Sequence, residues 1–225
     1  IILGFMSATA FLSMWVSNTA TTMMLFPVAL SVISLIEGTE SPEAKLKKSR
    51  SADNFSLCLM LSIAYAANIG GVGTIIGTPP NAFMKGFLAD TYGYDLSFSK
   101  WMLFGVPFAV IMLCITYNIL TKFLFRFKSD TNSDGVHDLI DKELNSIGKM
   151  SRGEILTALT GALMAFLWVF GPYLNIPGLS DTVVAMAGGL LLFIIPVNLL
   201  KGKFVLDWKQ TKDLPWNVII LFGGG

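Results

Sequence analysis

Two short polar clusters interrupt an otherwise apolar sequence. The first is Ser17-Asn18-Thr19, with Ser13 one helical turn before it, and the second is the glycine-rich stretch 70–81, GGVGTIIGTPPN. Hydroxyl, amide and backbone carbonyl oxygens in such clusters are suitable ligands for Na⁺. Free backbone amides at the start of a helix instead favour a carboxylate or another oxyanion. The clusters therefore predict an ion and anion binding site.

Neither cluster carries a charge of its own. No Asp, Glu, Lys, Arg or His lies within 13–22 or 70–81, so no side chain there can neutralise an anion or relay a proton. A carboxylate dianion is costly to bring into a low-dielectric environment unless cations and helix ends compensate its charge. A bound cation would have to supply the positive charge, which favours coupling to Na⁺.

Other interpretations of these residues stay open. Gly, Ser and Thr also serve close packing between membrane helices. A membrane-embedded enzyme with Ser17 as nucleophile is a second interpretation, but the only histidine, His137, lies in a predicted connector without a nearby motif. A noncatalytic scaffold subunit is a third. Because Ser17 has no general base in the sequence, we expect that the chain is not an enzyme.

The composition indicates that lipid is the solvent. Hydrophobic residues make up 53% of the 225 residues and charged residues 14%, and the mean hydropathy is +0.65, whereas soluble domains have about 25% charged residues. A formal net charge of +1 argues against a nucleic acid partner. Cys58 and Cys114 lie in apolar segments and are interpreted as packing residues. We expect an all-α polytopic membrane protein.

Both polar clusters divide apolar stretches that are short for a full span. Residues 1–36 therefore read as a re-entrant hairpin whose tip is Ser17-Asn18-Thr19, and 57–89 as a discontinuous helix. Helix breaks at membrane depth persist only where they line a cavity or are buried in protein. Proline at positions 79 and 80 suits the first turn of a following helix.

The other segments are positioned by hydropathy and local motifs. Thr182–Leu200 reads as a span, Trp216–Phe222 as the start of another, and Ser151-x-x-Glu154 as a capping box that starts a helix at about Arg152. The predicted segments are a hairpin at 1–36, a cytoplasmic connector at 37–56, a discontinuous helix at 57–89, a transmembrane helix at 101–127, a cytoplasmic amphipathic connector at 128–153 and the first spans of a second repeat at 154–225.

The distribution of basic residues predicts the orientation. If the connector at 37–56 is cytoplasmic, alternation of the spans puts 90–100 outside, 122–152 inside, 173–181 outside and the connector 201–213 inside. Only Lys85 and Lys100 are then outside. The other fourteen of the sixteen Lys and Arg residues are then inside. This bias is the one that the positive-inside rule requires.

The stretches SMWVSNTATTMMLFP, Ser13–Pro27, and ANIGGVGTIIGTPPN, Ala67–Asn81, resemble the divalent anion/sodium symporter family, the solute carrier family 13 group of dicarboxylate and citrate transporters. The resemblance implies a multi-pass homodimer in the cell inner (plasma) membrane. It also implies inverted repeats, with a scaffold domain and a moving transport domain that works as an elevator. The hairpin and the discontinuous helix would belong to the transport domain, and 154–225 to the scaffold.

The resemblance also implies roles for single residues. The set expected to hold Na⁺ is Ser13 through its carbonyl, Ser17, Asn18 and Gly77. The set expected to touch a substrate carboxylate is Asn18, Thr19 and Thr78. The implied function is Na⁺-coupled symport of C4-dicarboxylates such as succinate, malate and fumarate. A Na⁺-independent dicarboxylate exchanger and a citrate or sulfate carrier are the alternatives.

The family pattern has a second hairpin with its own Ser-Asn-Thr type tip, and none occurs before Gly225. The chain opens inside an apolar segment and stops as another begins. We therefore expect a longer protein, whose remaining part supplies the second hairpin and a second Na⁺ site.

Overall fold

The structure is a computed structural model that describes residues 1–37, 42–125, 148, 150–174, 176–198, 202–213 and 220. Its helices are α1 Ile2–Ser13, α2 Asn18–Glu37, α3 Pro42–Gly71, α4 Pro79–Tyr92, α5 Phe98–Asn118, α6 Arg152–Leu174 and α7 Asp181–Ile194. The chain divides into two compact units. The first contains α1 to α4 and most of α5, and the second contains the start of α5 and the described residues that follow 146.

In the first unit, α1, α2 and α3 share one hydrophobic core. Met6, Val32, Leu59 and Ile63 are among its fully or almost fully buried members. Gly70 near the end of α3 lets the two backbones approach, because a Cβ at this position would lie 2.5 Å from Cα of Ala10. Real Cβ atoms do not come that close, so α1 and α3 meet at a contact that only glycine allows.

Helix α3 begins earlier than hydropathy predicted. It starts at Pro42, inside the stretch predicted as a connector, and runs for 30 residues to Gly71. Proline suits the first turn of a helix, and PEAKLKKSR is rich in strong helix formers. High polarity therefore marks this segment as hydrophilic but does not prevent it from being helical.

Both predicted breaks are present as interruptions between helices. The first covers Met14–Ser17, between α1 and α2, and the second covers Val72–Thr78, between α3 and α4. Helix α4 starts with Pro79 and Pro80 in its first turn, as the sequence predicted. In 70–77 the glycines serve close approach, and none has a positive φ.

Helix α5 continues from Asn118 into one stretch of π-helix, Ile119–Leu124. Leu120 in this stretch is buried in the core of the first unit. Pro107 lies inside α5. The helical segment therefore covers most of the transmembrane helix predicted at 101–127.

In the second unit, the predicted capping box starts α6 as expected. The backbone N–H of Ser151 donates to Oε2 of Glu154 at 2.7 Å, and the N–H of Glu154 donates to Oγ of Ser151 at 3.3 Å. The first helical residue is Arg152. Further along α6, Trp168 stacks on Phe98 with ring centroids 5.3 Å apart.

The span predicted at Thr182–Leu200 is wrong in its last part, after Ile194. Helix α7 ends at Ile194, since Ile195 is extended (φ −70°, ψ 116°) and precedes Pro196. The chain then forms β1, Pro196–Asn198, which pairs antiparallel with β2, Lys203–Phe204. Among the described residues, the regular elements are therefore helices apart from this short two-stranded ribbon, and the last of them is a 3₁₀ helix at Trp208–Asp213.

Three described helical segments are long and apolar enough to cross a membrane, namely Asn54–Gly71, Phe98–Leu124 and Arg152–Leu174. Helices α1 and α7 and the segment Asn18–Ser34 are apolar but shorter. The amphipathic connector predicted at 128–153 lies for the most part outside the described residues, as do His137 and nearly all of Trp216–Phe222.

Candidate functional site

The two helix breaks lie against each other. Oγ1 of Thr74, in the second break, donates a hydrogen bond to the carbonyl oxygen of Met14 in the first. Oγ of Ser13, the last residue of α1, lies 2.7 Å from the carbonyl oxygen of Ala67 in α3. Ser13 and Thr74 are both fully buried. The breaks therefore form one connected region instead of two separate irregularities.

Oxygen atoms are crowded around Ser13. Its Oγ lies 2.7 Å from Oδ1 of Asn18 as well as 2.7 Å from the carbonyl oxygen of Ala67. A hydroxyl group has a single hydrogen, so Ser13 can donate to only one of these two acceptors at a time. One of the two acceptor oxygens therefore lies close to the Ser13 hydroxyl oxygen without a hydrogen between them. A small cation is a chemical partner that such a cluster suits.

The amide of Asn18 has a second partner on α3. Its Nδ2 donates to Oδ1 of Asn68 at 3.0 Å, and Nδ2 of Asn68 donates to the carbonyl oxygen of Ala64 at 3.1 Å. These bonds orient the Asn18 amide so that its oxygen is directed to Ser13. Asn68 was not among the predicted site residues, although it is one of the few polar residues in the apolar part of α3.

Ser17 and Thr19 lie on the exposed side of the first break. Oγ of Ser17 accepts the backbone N–H of Ala20 at 3.3 Å, which is a typical helix N-cap bond. The side chain of Thr19 is exposed and lies in the first turn of α2. The hydroxyl oxygen of Ser17 therefore has a structural role in starting α2, and it keeps lone pairs for a further ligand.

Two further threonines near the start of α2, Thr21 and Thr22, differ from Thr19. Oγ1 of Thr22 donates to the carbonyl oxygen of Asn18 at 2.8 Å, within its own helix. Thr21 is fully buried, and its hydroxyl has no hydrogen-bond partner among the described residues. Of the three, only Thr19 combines an exposed side chain with a place in the first turn of α2.

Gly77 and Thr78 end the second break. The N–H of Gly77 donates to Oγ1 of Thr74 at 3.1 Å. Thr78 is extended (φ −150°, ψ 143°), occupies the N-cap position of α4 and makes no side-chain capping bond. Because Pro79 and Pro80 have no N–H, α4 offers an anion fewer amides than an ordinary helix start does. The start of α2 is the richer donor.

Asn81 holds the second break from inside α4. This residue is only 7% exposed, and its Nδ2 donates to the carbonyl oxygens of both Gly71 and Thr74 at 2.8 Å. The sequence analysis did not assign it a role, although it ends the GTPPN stretch. Thr74 was also missed. Both residues act on the site through the backbone, which residue type alone does not indicate.

Helix α5 contacts the same loop. Nε1 of Trp101 donates to the carbonyl oxygen of Val72 at 2.9 Å. A Cβ at Gly105, one turn later, would lie 2.9 Å from that oxygen and 3.1 Å from the carbonyl oxygen of Gly73. A tryptophan at the start of a predicted span reads as an interface or packing aromatic from the sequence alone, and the structure gives Trp101 a specific hydrogen bond.

The predicted site residues are thus brought together in part. Ser13 and Asn18 are in direct contact, and Gly77 packs on the backbone of Gly71, which also faces Asn18. Ser17 and Thr19 flank Asn18 in the chain, and Thr78 follows Gly77. In the described ranges no group of His, Cys, Asp and Glu could hold a metal ion. Any ion here would have to be bound by neutral oxygens.

Comparison with known proteins gives a consistent set of matches. A sodium-dependent dicarboxylate transporter, SdcS, of Staphylococcus saprophyticus is 41% identical over 235 aligned residues. A protein of the same name in Staphylococcus aureus is 40% identical over 231 aligned residues. In both cases the alignment covers 100% of this chain and 44% of the relative, so the chain spans less than half the length of these proteins.

The family comparison covers every residue of the chain. The family model described as "Sodium:sulfate symporter transmembrane region" matches residues 1–225. The long apolar helices fit a multi-pass membrane protein. The chain therefore belongs to the sodium:sulfate symporter transmembrane family.

Proposed function

We propose that the chain forms part of a Na⁺-coupled symporter for C4-dicarboxylates such as succinate, malate and fumarate, and that it supplies half of the binding site. The observation that carries the proposal is the oxygen cluster of Ser13, Asn18 and Ala67, in which the Ser13 hydroxyl lies 2.7 Å from each of two acceptor oxygens and has a single hydrogen for them. A Na⁺ ion at this cluster would replace oxygen–oxygen repulsion with attraction. The relatives named above as sodium-dependent transporters support the same cation.

The proposed Na⁺ ligands are Ser13, Ser17, Asn18 and Gly77. These residues lie at or next to the carbonyl end of α1 and the end of the second break. The C-terminus of α1 carries a partial negative charge, roughly half an elementary charge, whereas Ser17, Asn18 and Gly77 lie at or before helix starts and would contribute as neutral oxygen ligands. Ion binding there needs no ionised side chain, which fits the uncharged character of both breaks.

The proposed carboxylate contacts are Asn18, Thr19 and Thr78. The start of α2 presents backbone amides and carries the positive end of its dipole. Thr78 adds a hydroxyl that has no capping bond. A Na⁺ bound next to this position would offset part of the charge of a dianion, so that cation and substrate would favour each other's binding.

We further propose that the complete protein is a homodimer of the plasma membrane that works by an elevator-type motion. The hairpin at 1–36 and the discontinuous helix at 57–89 would move as one body. Support comes from the direct bonds between the two breaks, because two elements joined by Ser13 and Thr74 cannot move far apart independently. The missing half of the site would come from a second hairpin.

The proposal is tested by uptake in proteoliposomes made with the complete protein. Labelled succinate should accumulate with an inward Na⁺ gradient, and accumulation should disappear when K⁺ replaces Na⁺. Protein-free liposomes are the control. Gradient-independent uptake that requires internal dicarboxylate would contradict Na⁺ coupling and favour an exchanger.

Competition separates the substrate alternatives. We expect unlabelled malate and fumarate to reduce succinate uptake, whereas sulfate should have little effect. Strong inhibition by citrate or sulfate alone would favour the other carriers. The enzyme alternative with Ser17 finds no support in the described contacts, since the Ser17 hydroxyl is bonded to a backbone amide.

A further inference from the structure

We infer that Asn81 is a positioning residue that sets the geometry of the proposed Na⁺ site without touching the ion; this inference rests on the proposed function. Asn81 is buried, and its amide nitrogen donates to the carbonyl oxygens of Gly71 and Thr74, each at 2.8 Å. An amide group has two N–H hydrogens. Both are therefore engaged with the backbone of the second break.

Gly71 connects Asn81 to the proposed Na⁺ ligands. A Cβ at Gly71 would lie 2.5 Å from Oδ1 of Asn18, and a Cβ at Gly77 would lie 2.9 Å from Cα of Gly71. Asn18 and Gly77 thus both pack against the backbone of one glycine. The carbonyl of that glycine is held by Asn81, so a shift of Gly71 would displace two proposed ligands together.

Asn81 also holds the backbone of Thr74. The carbonyl oxygen of Thr74 accepts from Asn81, while its hydroxyl donates to Met14 and accepts from the N–H of Gly77. Asn81 therefore holds the carbonyl of Thr74, and the hydroxyl of Thr74 joins the two breaks. Without the Asn81 amide, the carbonyl of Gly71 loses this donor, and the carbonyl of Thr74 keeps only the longer bond of 3.4 Å from the N–H of Gly77. Weakening these bonds at a buried site favours a local rearrangement.

The test uses the substitution Asn81→Leu in the complete protein, because leucine has a similar volume and no donor. We expect the Na⁺ concentration for half-maximal succinate uptake to rise about tenfold, since two hydrogen bonds that hold the ion site are lost. The apparent KM for succinate at saturating Na⁺ should change less than about threefold. The maximal rate per folded transporter should recover at high Na⁺. A merely structural role would lower the amount of folded protein and leave the Na⁺ dependence unchanged.

The matched control is Asn118→Leu. Nδ2 of Asn118 donates to the carbonyl oxygen of Cys114 at 2.8 Å within α5, so the same substitution removes a similar bond away from the breaks. Asn81→Ser, which keeps one donor, should give an intermediate Na⁺ dependence.

The outcomes separate this inference from the proposed function. Uptake by the unsubstituted protein that does not depend on Na⁺ would contradict the proposed function itself. Na⁺-dependent uptake whose half-maximal Na⁺ concentration is the same in Asn81→Leu would overturn the positioning role alone. If Asn81→Leu and Asn81→Ser both fail to fold while Asn118→Leu folds, Asn81 is purely structural and the inference is also wrong.

Discussion

Asn18 is the residue on which most contacts of the candidate site converge. Its amide oxygen faces Ser13, its amide nitrogen donates to Asn68, and its carbonyl accepts the hydroxyl of Thr22. It is also in contact with the backbone at Gly71. One side chain thus connects α1, α2 and α3, and the same oxygen is proposed to bind Na⁺. We therefore expect that these partners fix the orientation of Asn18 and that Asn18 in turn fixes theirs.

We predict that Asn18→Ala lowers Na⁺-driven succinate uptake by at least about a hundredfold while the protein still folds. The substitution removes a proposed ion–dipole contact with Na⁺. If that contact is comparable in strength to a hydrogen bond to a charged group, it is worth about 1.5–3 kcal/mol, or roughly 10- to 150-fold in affinity, for each partner affected. Uptake in proteoliposomes is the measurement. Asn118→Ala is the control and should keep near-normal uptake, because Asn118 is bonded only within its own helix. Near-normal uptake in Asn18→Ala would favour a packing role.

Part of this site was predictable from the sequence, because residue types and short spacings along the chain indicated which oxygens would lie close together. Ser13 and Asn18 are five residues apart, so their proximity follows from a single helix end. Asn68 and Asn81 could not be assigned in the same way. The Asn18–Asn68 bond joins positions 50 apart in the chain, and the role of Asn81 depends on which carbonyls the loop turns toward it. Such long-range contacts are decided by tertiary packing.

At the scale of elements, the contact of α1 with α3 fixes the first break. Gly70 lies one residue from Gly71 and faces the backbone of Ala10, one turn before Ser13. The buried Ser13–Ala67 bond lies next to this contact. The close approach of the two helices therefore brings the carbonyl of Ala67 within reach of the Ser13 hydroxyl.

We predict that Gly70→Ala destabilises the protein by about 1–3 kcal/mol, the usual range for overpacking, and also weakens Na⁺ dependence. The added methyl group would meet Ala10 Cα at 2.5 Å, and backbone atoms cannot yield as a flexible side chain does. Thermal unfolding of the detergent-solubilised protein is the measurement. Gly86→Ala in α4 is the control, since nothing lies within 4 Å of its Cβ position. That variant should be unchanged or more stable by about 0.5–1 kcal/mol. Equal melting temperatures for the two variants would contradict the close contact.

Helix boundaries were predictable where a local signal was read. The capping box of Ser151 and Glu154 and the two prolines at the start of α4 both marked their helices correctly. The end of α7 was misplaced because hydropathy alone was followed as far as Leu200, although Pro196 disfavours a helical residue before it. The ribbon that follows α7 also depends on its second strand, β2. Next to the ribbon, the N–H of Val205 donates to the carbonyl oxygen of Ile195 at 3.0 Å.

At the scale of the whole molecule, the exposed surface of α5 fits a membrane. Leu103 is 80% exposed and Phe104 is 66% exposed in the described part of the chain. A contiguous apolar surface of this kind requires lipid or another part of the complete protein as its partner. The inverted repeats, the dimer and the orientation in the membrane stay predictions, because the chain spans 44% of the length of its named relatives and hydropathy does not distinguish the two sides.

The distribution of basic residues predicts the orientation of the chain in the membrane. With fourteen basic residues on one side and Lys85 and Lys100 on the other, reversal would place the connectors 37–56 and 201–213 outside, against the positive-inside rule. Asp95 and Asp207 are both exposed and lie in segments predicted to be outside and inside, respectively. In a variant of the complete protein without cysteines, an impermeant maleimide should label Asp95→Cys in intact cells. It should label Asp207→Cys only after the cells are permeabilised. Labelling of Asp207→Cys alone in intact cells would reverse the orientation and place the Ser17-Asn18-Thr19 tip in a hairpin that enters from outside.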